Sequence, residues 1–196
     1  YKRQGKNCML IIPGTSSYLF LAVLLLTEEL PPDPPLVRDH CGRCRRCLDV
    51  CPTDAFVAPG SLDARRCIAY LTIEHRGAIP EPLRPLIGRW LFGCDLCQQV
   101  CPHNHRLTAK PHEDFQPRSG HAWMDLSWLL MAADDDIDAA LTGSPLRRPK
   151  PAGLKRNAAV VAGNLGDPAA RPALEVALRH PDPHVVSHAR WALDRL

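Results

Sequence analysis

The stretch Cys41-Gly-Arg-Cys44-Arg-Arg-Cys47-Leu-Asp-Val-Cys51-Pro52 constrains this chain more than any other feature. It reads C-x2-C-x2-C-x3-C-P. A shortened copy, Cys94-Asp-Leu-Cys97-Gln-Gln-Val-Cys101-Pro102, lacks the first cysteine and carries Leu91 in its place. Cys67 lies between the two runs and can fill the vacancy. A close-spaced triplet of thiolates wraps one face of a metal cluster, while the x3 step and the following proline turn the last thiolate away.

Bacterial two-cluster ferredoxins use this spacing to hold [4Fe–4S] groups, with the fourth cysteine of each run ligating the other cluster. The ligands then divide evenly. The first cluster takes Cys41, Cys44, Cys47 and Cys101, and the second takes Cys94, Cys97, Cys67 and Cys51. Zinc also uses C-x2-C pairs, but pairs alone explain neither the triplet nor two C-x3-C-P endings. Cys8, the remaining one of nine cysteines, reads as a small apolar core residue. Thiolate ligands point to a reducing, cytoplasmic setting rather than a secreted disulfide scaffold. The longest apolar run, Tyr18 to Leu26, is nine residues, too short to span a membrane as a helix.

Upstream of the runs, Cys8 to Ile12 reads as a buried strand, and Tyr18 to Leu26 as a second. Two strands alone make a marginal unit, and the chain does not begin with Met. The expectation is therefore the end of a longer protein. Leu30-Pro-Pro-Asp-Pro-Pro35 excludes helix and reads as a stiff, extended connector.

Between the runs, residues 63–75 read as a helix capped by Ser61 or Asp63. Helical spacing would put Cys67, Tyr70, Leu71 and Glu74 on one face. The alternative is that Tyr70 and Glu74 are ordinary surface-to-core residues. Downstream, His103, His105, His112 and His121 are irregularly spaced and read as loop histidines. Residues 123–131 read as a short amphipathic helix. The four carboxylates of Asp134-Asp-Asp-Ile-Asp138 suit a helix N-terminus.

From Leu154 onward the chain reads as helical and repetitive. Asn157 to Leu165 aligns with His188 to Leu196 at an offset of 31, with Asp-Pro corners at Asp167 and Asp182. This resembles a compact HEAT-like repeat, in which each unit buries its face on the next. Arg147, Arg148, Lys150, Lys155 and Arg156 place five cations in ten residues with no acid among them. They form either a phosphate-binding face or a solvated basic turn. The net charge of +3 does not decide between the two.

With these parts in place, the chain resembles the epoxyqueuosine reductases. The matching residues are Gly5-Lys6-Asn7, Gly14 to Leu21, Asp39-His-Cys-Gly-Arg-Cys44, Cys51-Pro-Thr-Asp-Ala55, Tyr70-Leu-Thr-Ile-Glu74, Gly77, Ile87-Gly88, Phe92-Gly-Cys-Asp95 and Gln98-Gln-Val-Cys-Pro102. The resemblance covers nearly the whole chain and only the later part of the family's protein. It implies a cobalamin enzyme with two [4Fe–4S] clusters, which reduces epoxyqueuosine to queuosine at the tRNA wobble position. It further implies cobalamin contacts at Lys6 and Ser17, with Tyr70, Glu74 and Asp95 lining the cofactor or base pocket. The basic residues at 147–156 would meet a tRNA anticodon stem-loop. An external electron donor, a monomeric state and no membrane complete the picture. The proton donor would lie upstream of Tyr1, and the chain alone would be inactive. Three departures bear on substrate geometry and leave the cluster ligands untouched: Ala22-Val23, Leu96 and His103.

The fold class expected is α+β. A remnant of a truncated α/β cobalamin-binding domain and its connector fills 1–36. A ferredoxin-like dicluster domain follows at 37–110, then a helical connector at 111–150 and the HEAT-like repeat at 151–196. A different cobalamin iron–sulfur reductase, such as a reductive dehalogenase, is the alternative, and such an enzyme should lack a basic helical tail. A non-enzymatic dicluster carrier would need no residues beyond Leu154.

Overall fold

The structure is a computed structural model that describes residues 4–12, 14–34, 40–105 and 123–196. Pro35 of the connector, Asp39, His112 and His121 lie outside the described residues. In chain order the elements are α1 (Arg46–Asp49), β1 (Phe56–Ala58), β2 (Ser61–Leu62), α2 (Ile68–Ile73), α3 (Arg84–Ile87), α4 (Leu96–Gln99), α5 (Leu126–Met131), α6 (Asp134–Ala140), α7 (Lys150–Leu165), α8 (Arg171–Ala177) and α9 (Pro183–Leu193). This is the helix-rich α+β content expected. The chain groups into two units, one of Tyr1–Asp63 with Asp95–Glu113, the other of Ala64–Cys94 with Asp114–Leu196.

In the first unit the two cysteine runs fold alike. Each builds a four-residue helix, α1 or α4, that ends at a valine (Val50 or Val100) directly before Cys-Pro. The two helices pack against each other. Proline after the cysteine cannot donate to the preceding turn, so the helix stops and its last thiol leaves the helical path. A hairpin pairs Phe56 with Leu62 and Ala58 with Ser61, antiparallel. Gly60 turns it at φ +75, where a side chain would be strained.

The N-terminal segment departs from expectation. Cys8 to Ile12 is not a strand. Cys8 sits at φ 64 inside a tight loop in which Gly5 N–H donates to Met9 O at 2.8 Å and Cys8 N–H to Gly5 O at 3.0 Å. Asn7 Oδ1 accepts from Met9 N at 3.2 Å, a local side-chain bond that competes with strand pairing. The only bridge found there among the described residues joins Gln4 to Leu10. The run Tyr18 to Leu26 also forms no strand and exposes its apolar side chains, Phe20 at 86% and Leu25 at 93%.

In the second unit α7 is the central element. From Leu154 to Gly163 every residue along it is buried. Its core partners include Leu129, Ile137, Leu174 and Val185, while Val160 packs with Ile68, Ile79 and Ile87. The closest approach is to α9. A Cβ on Gly163 would fall 2.8 Å from Ala192 Cα, so only glycine fits there. The corners behave as their sequence suggests, with Asp167 and Asp182 accepting from Ala169 N and His184 N at 2.9 and 2.7 Å. Asp125 caps α5, which therefore starts at Leu126, inside the expected 123–131 span. Asp134, Asp135 and Asp136 fill the first turn of α6.

The helix expected over 63–75 is interrupted. A 3-10 turn covers Ala64–Arg66, and Cys67 follows with extended φ −69 and ψ 124 before α2 begins. Cys67 therefore sits in the break and does not share a helical face with Tyr70 and Glu74.

Candidate metal centre

Within the first unit, Cys41, Cys44, Cys47 and Cys101 line one cavity of about 210 Å³, together with Lys6, Arg46 and His103. A single water needs only about 10–15 Å³ of such space, so the cavity far exceeds what one ion fills. Among the described residues no three His, Cys, Asp or Glu side chains converge as a single metal ion requires. The C-x2-C loop is closed by Cys44 N–H donating to Cys41 O at 2.9 Å, with Gly42 at φ +47. Lys6 Nζ donates to Gly42 O at 2.6 Å and Cys44 O at 2.9 Å, which anchors the loop from outside.

The electrostatics of the cavity suit a cationic occupant. Burial pushes the Cys47 thiol above its ordinary range, and the neighbouring Cys41, Cys101 and Cys44 push it further. Burial also raises Cys101, a backbone N–H bond from His103 partly offsets this, and Cys41 and Cys44 add to the rise. Four thiolates around one space repel one another, and positive iron at their centre would reverse that repulsion. The residues present therefore fit a [4Fe–4S] group in number, chemistry and room.

A polar network braces the second cysteine run. Ser17 N–H donates to Asn104 Oδ1 at 2.8 Å, and Asn104 Nδ2 donates to Ser17 Oγ and to Gln98 O, both at 2.8 Å. Ser17 Oγ donates to Gln98 Oε1 at 3.0 Å, and Gln98 Nε2 to Asp95 Oδ1 at 2.8 Å. Asn7 Nδ2 donates to Cys97 O at 3.3 Å. Tyr18 is raised by burial and by the nearby Asp95, Cys97 and Cys101. Cys51 Sγ accepts from Ala55 N at 3.4 Å. Of the expected cofactor contacts, Lys6, Ser17 and Asp95 are thus all engaged with the cysteine runs or their supports. Sequence reading missed Gln98 and Asn104 as supports. The signal available was their polarity on either side of Cys101-Pro102.

The second unit holds Cys67, Tyr70, Glu74 and Cys94. Thr72 Oγ1 accepts from Gly93 N at 2.9 Å, which ties the segment after Cys67 to the one before Cys94. Glu74 pairs with Arg148 at 2.5 Å, and the Tyr70 and His75 rings lie 6.0 Å apart. The five expected phosphate-facing cations separate. Arg147, paired with Asp138 at 3.3 Å, is half-exposed, and Arg148 and Lys150 are not buried beyond that. Lys155 and Arg156 are buried at 5% and 1% exposure, which corrects their expected place on a surface patch. Lys155 pairs with Asp134 at 2.7 Å. Burial and the nearby Arg76 lower Arg156 to about 10, with Asp182 opposing.

Residues 40–104 match the 4Fe-4S double cluster binding domain family. Along 97% of its length the chain is 46% identical to the epoxyqueuosine reductase of Pseudomonas aeruginosa and covers 53% of that protein. A solved structure of the Bacillus subtilis epoxyqueuosine reductase superposes with a TM-score of 0.91 at 35% identity, covering 98% of this chain and 51% of that one. A crystal structure of an epoxyqueuosine reductase with an epoxyqueuosine-modified tRNA stem loop gives a TM-score of 0.91 at 34% identity, with the same coverage of 98% and 51%. The chain spans about half the length of the relatives it matches.

Proposed function

Because this chain is a relative of the epoxyqueuosine reductases, we propose that it carries the electron-transfer part of such an enzyme. The observation that bears most weight is the four-thiol cavity at Cys41, Cys44, Cys47 and Cys101, inside the stretch that matches a double-cluster family. The spacing of the runs assigns Cys94, Cys97, Cys67 and Cys51 as the second ligand set. The reaction turns epoxyqueuosine into queuosine at the tRNA wobble position. Two electrons and two protons remove the epoxide oxygen as water and leave an alkene, with the electrons entering from an external donor. When bound, [4Fe–4S] groups would supply one-electron transfer and cobalamin would supply the reducing chemistry at the epoxide.

The chain's own residues have assignable tasks in this reading. Ser17 and Asp95, held by Gln98, are oriented for cofactor contact. Tyr70 and Glu74 face the cofactor or base pocket, with Tyr70 37% exposed. Arg147, Arg148 and Lys150 remain as phosphate contacts for an anticodon stem-loop, as a tRNA stem loop binds the relative described above. The α7 and α9 helices, aligned at an offset of 31 and packed at Gly163, support a HEAT-like tail. A monomeric, cytoplasmic protein accords with this chemistry. No helix among the described residues is long and apolar enough to cross a membrane.

Deleting the gene from its host tests the function. Host tRNA should then accumulate epoxyqueuosine in place of queuosine, and complementation should restore queuosine, as read by mass spectrometry of tRNA nucleosides. Unchanged queuosine in the deletion strain would overturn the proposal.

A further inference from the structure

Lys6 is delivered to the first cysteine run by a locked loop. Gly5 N–H and Cys8 N–H close that loop on Met9 O and Gly5 O, and Gly60 N–H donates to Lys6 O at 2.9 Å. A Cβ on Gly5 would fall 2.5 Å from Ile11 Cδ1 and 2.7 Å from Asn7 Oδ1, so the loop closes tightly over a glycine. The half-buried Lys6 ammonium lines the thiol cavity and spends two donors on Gly42 O and Cys44 O, at 2.6 and 2.9 Å. An ammonium has three donors, so one remains. The next residue, Asn7, reaches the other run at Cys97 O.

We propose that Lys6 is a positioning residue of the first iron–sulfur cluster: it pins the Cys41–Cys44 loop and holds a fixed positive charge at the cluster's edge. This rests on the cluster reading above. A reduced cluster carries one more negative charge than an oxidised one, and net charge around a cluster is among the factors that set its potential. A cation at the rim therefore favours the reduced state and raises the potential of that cluster. Arg46 lines the same cavity and adds a second positive charge to it.

The test is potentiometric titration of the anaerobically reconstituted full chain, followed by electron paramagnetic resonance, in wild type, Lys6→Met and Lys6→Arg. In Lys6→Met the first cluster should become harder to reduce by at least tenfold in equilibrium constant, a downward shift of about 59 mV for one electron. Lys6→Arg should stay within a few-fold of wild type, and the second cluster should not move. Loss of half the iron in Lys6→Met with full loading in Lys6→Arg supports the same assignment, since the variants differ in their charged head. Equal potentials in all three proteins, or an equal shift of both clusters, would overturn it. So would lowered cobalamin affinity in Lys6→Met at unchanged potentials, which would make Lys6 a cofactor contact. Absence of iron and sulfide from the wild-type protein would instead sink the cluster reading itself.

Discussion

Arg156 Nη2 donates to the carbonyl oxygen of Leu71 at 2.7 Å, across 85 residues of sequence. The same guanidinium reaches His75 O at 2.8 Å and Gly77 O at 2.7 Å, and Asn157 Nδ2 continues the pattern to Thr72 O and Leu91 O at 2.7 and 3.0 Å. One turn of α7 thus satisfies the carbonyls left open at the end of α2 and in the turn beyond it.

Arg156→Ala should therefore be costly. It removes three bonds to carbonyls and leaves those that stay buried without partners, at about 1–3 kcal/mol each. A loss of roughly 3–5 kcal/mol is expected in chemical denaturation. Arg156→Lys should recover only part of it, because an ammonium lacks the planar fork that serves several carbonyls at once. A change under about 1 kcal/mol for the alanine variant would mean that the network contributes little.

Acid should weaken the second unit through His188. Its Nε2 accepts from Ile79 N at 3.1 Å and the ring is fully buried. Burial and then Arg84 depress it to about 3, while the His184 carbonyl, bonded at Nδ1, opposes the shift. The unfolded chain binds a proton near the ordinary value of about 6.5 while the folded chain does not. The stability is complete above about pH 6.5 and falls by up to about 1.4 kcal/mol per pH unit on the way to about 3. His188→Gln should flatten that slope, as read from urea denaturation at several pH values. An equal slope in both proteins would assign the acid sensitivity elsewhere.

The crossed ligand assignment predicts which cluster each cysteine governs. Cys101→Ser should remove about half of the roughly eight irons of two [4Fe–4S] groups, and the signal lost should be that of the cluster held by Cys41, Cys44 and Cys47. Cys8→Ser should leave iron content unchanged. Loss of the other cluster's signal in Cys101→Ser would show that the runs are not crossed.

For tRNA, the informative change is at the exposed cations. Replacing Arg147, Arg148 and Lys150 together by alanine removes up to three phosphate contacts. The slope of log affinity against log salt should then shrink by roughly two to three units. Filter binding of a stem-loop at several salt concentrations checks this, and an unchanged slope would make the three a solvated turn. Lys155 and Arg156 are unsuited to this test, since their loss would act through folding.

The cysteine framework was legible because ligand spacing is a local, covalent property, and both runs fold alike. The Asp167 and Asp182 corners were legible for the same reason, since a cap acts within three residues. Burial was not. Lys155 and Arg156 look like surface cations in sequence, and only α7's central position turns them inward. The break at Cys67 was hidden because helical spacing runs on unchanged through a residue whose backbone is extended. Cys8 to Ile12 misled because an apolar run does not reveal that Asn7 will close a loop on Met9.

The contact at Gly163 sets a mechanical property. With its missing Cβ facing Ala192 Cα, α7 meshes with α9 like a tooth in a notch. Sliding α7 along α9 by one turn would bring the side chain of Ala159 or Val160 to that notch, where backbone already stands. The two helices therefore cannot creep past each other. A displacement of α9 is handed on, without slack, to Asn157, Arg156 and the carbonyls of residues 71–77 that they grip.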